Sequence, residues 1–323
     1  VFIRTVTGDI APEKLGFAHC HEHLYTGRIR GVRIAKRIIL DSYRKSLEEA
    51  RMFYRCGGRC LVDAQPFGAG RDAVSLRNIS RETGLHIVAS TGFHKTSFYP
   101  HNPWVQNAGL KEITDLLVSE ITEGMYEYHA SDPFKAKSDI RAGIIKLATG
   151  DRGLTPLYEK IFSAAAEAHR ITGAPIMTHT ELSSFGYDQV QFLTRGGVHP
   201  EHVLISHMDR VIDVENNARL AEEGVFLQYD TIARYKYHSD EDELRLIEEM
   251  AHRGFGNQIL LGLDTTRERM TAYGGNIGLD YIKTTFLPML ERAGIDGEQV
   301  QHFMINNPRR ALCFAEKGSG VWD

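Results

Sequence analysis

The feature that most constrains this chain is an alternation, repeated eight times, between short apolar, β-branched runs and longer amphipathic stretches. The runs fall at 15–21 (LGFAHCH), 59–64 (RCLVDA), 86–91 (HIVAST), 142–147 (AGIIKL), 175–179 (PIMTH), 203–207 (VLISH), 225–230 (VFLQYD) and 259–263 (ILLGL). Most lack a clean polar–apolar alternation, as expected of parallel strands buried on both faces. Helices are predicted over 42–55, 72–83, around 111–128, 156–172, 188–195, 215–223, 240–253 and 279–293, most of them followed by glycine. For 156–172, Thr155 is the expected cap, Pro156 suits the first helical position and Gly173 the stop. Eight strand–helix units close naturally into an α/β fold of the (β/α)8 TIM-barrel type, read here as one domain over 1–323. An open doubly wound sheet would call for a Gly-rich phosphate turn after its first strand. This chain has His-Cys-His-Glu-His there instead.

The formal net charge of -4 argues against a general nucleic-acid or membrane-surface binder, which would carry a basic excess. No stretch approaches the roughly 20 apolar residues that span a bilayer. Cys20, Cys56, Cys60 and Cys313 form no Cys-x-x-Cys pair. They are read as reduced thiols of a cytoplasmic protein.

His21-Glu22-His23 is the strongest local signal. In extended backbone alternate side chains share a face, so His21 and His23 can point together into a barrel mouth while Glu22 points away. Two imidazoles so placed can grip a metal such as zinc. His179 and His207 end the fifth and sixth runs, Asp264 follows the eighth, and Lys146 lies late in the fourth. Singly, each has a plain reading: a hydrogen-bonded core histidine, a turn-capping aspartate, or a lysine that snorkels or binds an anion. Together they occupy the carboxyl ends of five strands, where barrel active sites lie. A protonated Lys146 among metals would be repelled. Its carboxylation by CO2 would give a carbamate with two oxygens, able to bridge two cations. His19 is expected deeper in the barrel interior and Cys20 facing the helices.

The long connections after the third and eighth runs are the expected pocket walls. Arg234 and Lys236 follow the seventh run, and Arg267, Arg269 and Tyr273 the eighth. They are candidate substrate contacts, with a solvated rim as the alternative. Phe93, Phe98, Tyr99 and Trp104 leave an apolar mouth open as a reading. The basic segment 28–37 could attract an anion, face solvent or meet a second subunit.

The segments TGDIAPEKLGFAHCHEHL, RETGLHIVASTGFHKTSFYP, AGIIKLATG, PIMTHTE, LISHMDR, FLQYDTIARYKY, LLGLDTTR and NNPRRAL, in this order over nearly the whole chain, resemble the phosphotriesterase family of the amidohydrolase superfamily. The resemblance implies two divalent metals, zinc first, with manganese, cobalt or iron as alternatives. His21, His23 and Asp264 would hold the more buried ion, and His179 and His207 the more exposed one. Carboxylated Lys146 and a hydroxide would bridge them. That hydroxide would attack the substrate, with Asp264 taking up its proton. DTIARYKY and DTTR look like the branch that hydrolyses phosphorylated sugar lactones, in which Lys236 and Arg267 match the phosphate-holding positions. Met270 stands near where that branch carries a tyrosine. The implied activity is a lactonase, with a phosphotriesterase or other ester hydrolase as the alternative and a catalytically silent metal-binding protein as the reading of another class. The partners expected are a small ester or lactone and a second copy in a homodimer.

Overall fold

The computed structural model describes residues 1–26, 36–99, 102–129 and 132–316. Eight parallel strands form the central sheet: β1 (Ala18–Glu22), β2 (Cys60–Asp63), β3 (His86–Gly92), β4 (Ile144–Ala148), β5 (Ile176–His179), β6 (Val203–Ser206), β7 (Phe226–Tyr229) and β8 (Ile259–Leu261). Each lies beside the next in the chain. The seam between β8 and β1 is drawn together above the sheet, where Asp264 N–H donates to His21 O at 3.1 Å. Gly262 permits this approach: a Cβ there would stand 2.9 Å from His21 O. The architecture is the expected (β/α)8 barrel.

Helices α1 (Tyr43–Arg55), α2 (Ala73–Thr83), α3 (Leu110–Thr122), α4 (Pro156–Thr172), α5 (Gly186–Arg195), α6 (Val214–Glu222) and α7 (Asp240–His252) follow the first seven strands. The eighth connection carries a π-wound segment, Ile282–Phe286, that runs on as Leu287–Arg292. Thr155 holds the cap position of α4 but makes no side-chain cap bond; Pro156 and left-handed Gly173 (φ 76°) bound the helix. The helix expected over 111–128 stops at Thr122. Gly124 lies against the backbone of Ser138, where a Cβ would meet the carbonyl oxygen at 1.9 Å. Tyr126–His129 then pairs antiparallel with Asp132–Lys137. Tertiary pairing at the glycine thus overrides helical propensity.

Alternation along the strands sorts the core into two layers. Cys20, Val62, Val88, Ile144, Met177, Leu204, Phe226 and Leu260, one from each strand, pack together inside the barrel. Their neighbours Leu61, Ile87, Ile145, Leu147, Ile205, Leu227 and Leu261 pack outward with the helices. Full burial of each such side chain contributes about 1.5–3 kcal/mol. The N-terminal hairpin (Ile3–Thr5 with Gly8–Ile10) sends Ile3 into the inner layer, where it meets Leu15 and Leu312.

Two expectations for β1 are overturned. Cys20 packs inside the barrel, whereas His19 faces the helix layer, its ring 4.6 Å from that of Phe53 in α1. The cause is a register shift between His19 and Glu22 in the pairing of β1 with β2. One irregular step changes the phase of the strand, as a bulge does. It also puts Glu22 within 2.8 Å of His19 Nδ1, three residues away. Glu22 then accepts from Leu263 N and Thr265 N across the seam.

Candidate metal centre and substrate cavity

The donors gather at the carboxyl ends of the strands. Lys146 alternates with outward-facing Ile145 and Leu147, so its side chain enters the barrel. His179 follows inward Met177 by two residues. His207 and Asp264 sit just beyond β6 and β8 with left-handed backbones, φ 67° and 45°. Such a conformation costs roughly 1–3 kcal/mol for a residue with a Cβ and persists where the surrounding structure imposes it, often at functional sites.

His23 Nε2 lies 3.2 Å and His21 Nε2 3.9 Å from Asp264 Oδ1. Donors about 2.0–2.1 Å from one tetrahedral ion stand roughly 3.4 Å apart, so this spacing suits a shared cation. His207 Nε2 and His179 Nδ1 face each other at 2.8 Å. The opposite nitrogen of each ring is committed to a carboxylate: His207 Nδ1 to Asp230 Oδ1 at 2.6 Å, and His179 Nε2 to Glu181 Oε1 at 3.0 Å. With hydrogens on those two nitrogens, the facing pair presents two lone pairs to each other, an arrangement that a divalent ion satisfies. The donor set therefore fits the metal centre that the sequence suggests. The ligand candidates His21, His23, Lys146, His179, His207 and Asp264 all line one cavity of about 320 Å³.

Burial governs the electrostatics. It holds His21, His179 and His207 well below the usual imidazole range, Lys146 adding to the effect at His21 and Arg210 at the other two. These rings are neutral, as metal ligands must be. Burial also brings Lys146 down to about 8 against the pull of Asp230 and Asp264. Its Nζ has Ser206 Oγ at 3.5 Å. Burial pushes Asp264 up, but Arg234 and His23 outweigh it and hold the carboxylate well below its ordinary value.

Several residues at this site were not singled out in the sequence. Asp230 is the chief one. Its Oδ1 hydrogen-bonds His207 Nδ1 at 2.6 Å, and its Oδ2 lies 2.6 Å from His21 Nδ1 without hydrogen-bond geometry, so one buried carboxylate stands against a histidine of each candidate ion site. Its place just after β7, the same place that flagged His207 and Asp264, was a usable signal. His94 also faces the cavity. Its Nδ1 accepts from Lys95 N at 2.7 Å, which leaves Nε2 as the donor. Lys95 pairs with Glu181, and Arg210 Nη2 reaches Asp264 Oδ2 at 3.3 Å.

The candidate substrate contacts divide. Arg234 and Lys236 line the cavity. Arg234 donates to both the carboxylate and the carbonyl of Asp264. Arg267 is not among the cavity-lining residues; it donates to Asp41 Oδ1 at 2.6 Å and lies over the Tyr273 ring. Arg269 is buried and donates to the carbonyls of Leu263 and Ile232. Tyr273 bonds Ser42 and Ser46. Arg269 and Tyr273 are therefore not among the described residues that line the cavity: polar groups of the loops recruit these side chains as internal ties. Phe98 reaches the cavity, whereas Phe93 and Tyr99 are buried and Phe93 packs on Trp104. Of segment 28–37, residues 28–35 lie outside the described residues.

A parallel eight-stranded barrel with imidazole, carboxylate and lysine groups converging at the strand ends defines a (β/α)8 protein with a candidate metal centre. The chain belongs to the phosphotriesterase family, whose model matches residues 2–312. It is 33% identical to a phospho-furanose lactonase of Mycoplasmopsis synoviae, over 98% of this chain and 93% of that protein. A crystal structure of a lactonase from Listeria monocytogenes superposes with a TM-score of 0.90 at 33% identity, covering 98% of this chain and 100% of that one. The phosphotriesterase homology protein of Escherichia coli, crystallised with phosphate in its active site, gives 0.85 at 31% identity, covering 93% and 99%. Among the described residues no helix is long and apolar enough to cross a membrane.

Proposed function

We propose that this chain is a metal-dependent lactonase acting on a sugar lactone that carries a phosphate. The observation that carries this reading is the charge of the cavity wall. Lys95, Arg210, Arg234 and Lys236 line it, against Glu181 and Asp264. Lys236 is exposed and forms no ion pair with a described residue, its Nζ lying 4.5 Å from the Tyr237 ring centre. An apolar acyl chain would not use these cations, whereas a phosphate would. The lactonase relatives, and the phosphate in the active site of the Escherichia coli relative, support the same substrate class.

His21, His23 and Asp264 would hold one divalent ion, His179 and His207 the other, and carboxylated Lys146 would link them. Zinc, manganese, cobalt or iron all suit these donors. Such ions lower the pKa of water to near neutrality and polarise a carbonyl oxygen. Asp264 Oδ1, facing the cavity between His21 and His23, is placed to take up a proton, and Arg234 keeps its carboxylate ionised until then. Lys236 would anchor the phosphate and so orient the ring. The free thiols support a reducing, cytoplasmic location.

Parallel kinetics on furanose lactones with and without a phosphate, and on an activated phosphotriester, test the proposal. Turnover confined to phosphorylated lactones supports it. Preference for the unphosphorylated lactone overturns the phosphate contact, and preference for the triester overturns the lactonase reading.

A further inference from the structure

Outside the barrel wall, behind the carboxyl ends of β6 and β7, a second group of donors converges. Asp209 follows β6, His238 lies in the loop after β7 and Glu243 is in the first turn of α7. Each offers one ligand atom, and the three atoms lie within 4.8 Å of one another. Asp209 and Glu243 are wholly buried and His238 is 8% exposed. Tyr229 packs in the outer, helix-facing layer. Inward-facing Asp230 belongs to the other site, so the barrel wall separates the two.

Three observations indicate that something is meant to sit here. His238 Nδ1 donates to Ser239 O at 3.0 Å, which places its hydrogen there; Nε2 then lies 3.1 Å from Glu243 Oε2 and 3.1 Å from the Thr231 hydroxyl, which can donate to it. Metal-bound histidines are oriented in this way, by a carbonyl on the far nitrogen. Next, Asp209 Oδ1, both Glu243 oxygens and the Tyr229 hydroxyl have no hydrogen-bond partner among the described residues. Buried polar atoms are otherwise almost always satisfied. Finally, no described lysine or arginine is paired with either carboxylate; a single imidazole, His238, stands beside Glu243, and two buried carboxylates against one imidazole would be costly. One proton shared between the carboxyl groups would satisfy a single oxygen of each. It would leave the Tyr229 hydroxyl without a partner among the described residues, and His238 Nε2 as the one donor candidate beside Glu243 Oε2.

We propose that Asp209, His238 and Glu243 form a further metal site, separate from the catalytic centre, which takes one divalent ion such as zinc or manganese. Two carboxylates and one imidazole neutralise such an ion and suit its preference for oxygen and nitrogen. The ion would tie the loops after β6 and β7 to the start of α7. These loops carry Asp230, Arg234 and Lys236, so its role is structural support for the cavity wall.

The test is metal analysis of the full chain, reconstituted with zinc or manganese and gel-filtered, for the parent, Glu243→Gln and the double variant His21→Asn/His207→Asn. The expected result is that Glu243→Gln holds one equivalent fewer than the parent, while the double variant retains the equivalent that Glu243→Gln loses. Equal metal content in Glu243→Gln and parent would overturn the proposal. Should Glu243→Gln not fold, anomalous diffraction from parent crystals at the zinc or manganese edge decides: a peak between Asp209 and Glu243 supports the site, and none there refutes it. Because the double variant is read separately, failure of the catalytic-centre assignment and failure of this one give different patterns.

Discussion

Asp230 hydrogen-bonds His207 Nδ1 at 2.6 Å, and its second oxygen stands at the same distance from Nδ1 of His21. One side chain thus stands against a donor of each candidate ion site and, through its hydrogen bond, fixes the tautomer of His207. Loss of a supporting carboxylate of this kind usually costs about 10–100-fold in metal affinity. Asp230→Asn should show that loss at both sites together. Competition with a chromophoric chelator checks this: parallel weakening of both ions is expected, and weakening of one alone would show that the two contacts are not equivalent.

The cations of the wall should separate by role. Lys236→Ala removes a charge that has no ion pair among the described residues, so KM for a phosphorylated lactone should rise about tenfold or more, with kcat for an unphosphorylated lactone little changed. Arg267→Ala breaks a pair with Asp41 outside the cavity lining and should alter KM less. Steady-state kinetics of the two variants side by side make the comparison. A larger KM effect from Arg267 would mean that its pair with Asp41 opens when substrate binds.

The barrel was legible because buried parallel strands write themselves as short apolar runs, and all eight fall where those runs do. The ligand candidates were legible by the same logic, since strand ends can be located from the runs. The facing of His19 and Cys20 was not. A register shift is a property of strand pairing, and the letters HCHEH read the same with or without it. That Arg269 and Tyr273 lie off the cavity lining was hidden for a related reason: a charge or phenol in a loop looks like rim until the carbonyls it must satisfy are known. The Asp209–His238–Glu243 group joins three segments over 35 positions and has no local spacing that would announce it.

A pH effect on stability is expected away from the metal centre. Burial, with neighbouring His169, takes His202 down to about 4, and burial also lowers His169. The two rings are 5.3 Å apart. Both are neutral in the fold, whereas the unfolded chain protonates near 6.5. Below that value the unfolded state binds more protons, so stability falls as pH drops from about 6.5 toward 4. Urea midpoints of the metal-free protein should decline over this window, and His202→Leu should flatten the decline. An unchanged slope in the variant would assign the effect to other groups.

Gly92 ends β3 with φ 91°, and a Cβ there would stand 2.0 Å from the carbonyl oxygen of Lys146 on β4. Neither atom can move freely, because Phe93 N donates to that same oxygen at 2.8 Å. Gly92→Ala therefore meets both an unfavourable dihedral and a backbone collision. The dihedral alone costs about 1 kcal/mol or more, and the collision must push β4 aside. Because Lys146 is carried on that strand, the damage should extend to metal binding: a lower Tm and a loss of bound metal are expected together. Thermal unfolding and metal analysis of the same preparation check the link. A variant with lowered Tm and full metal content would show that β4 can shift without carrying Lys146 out of place.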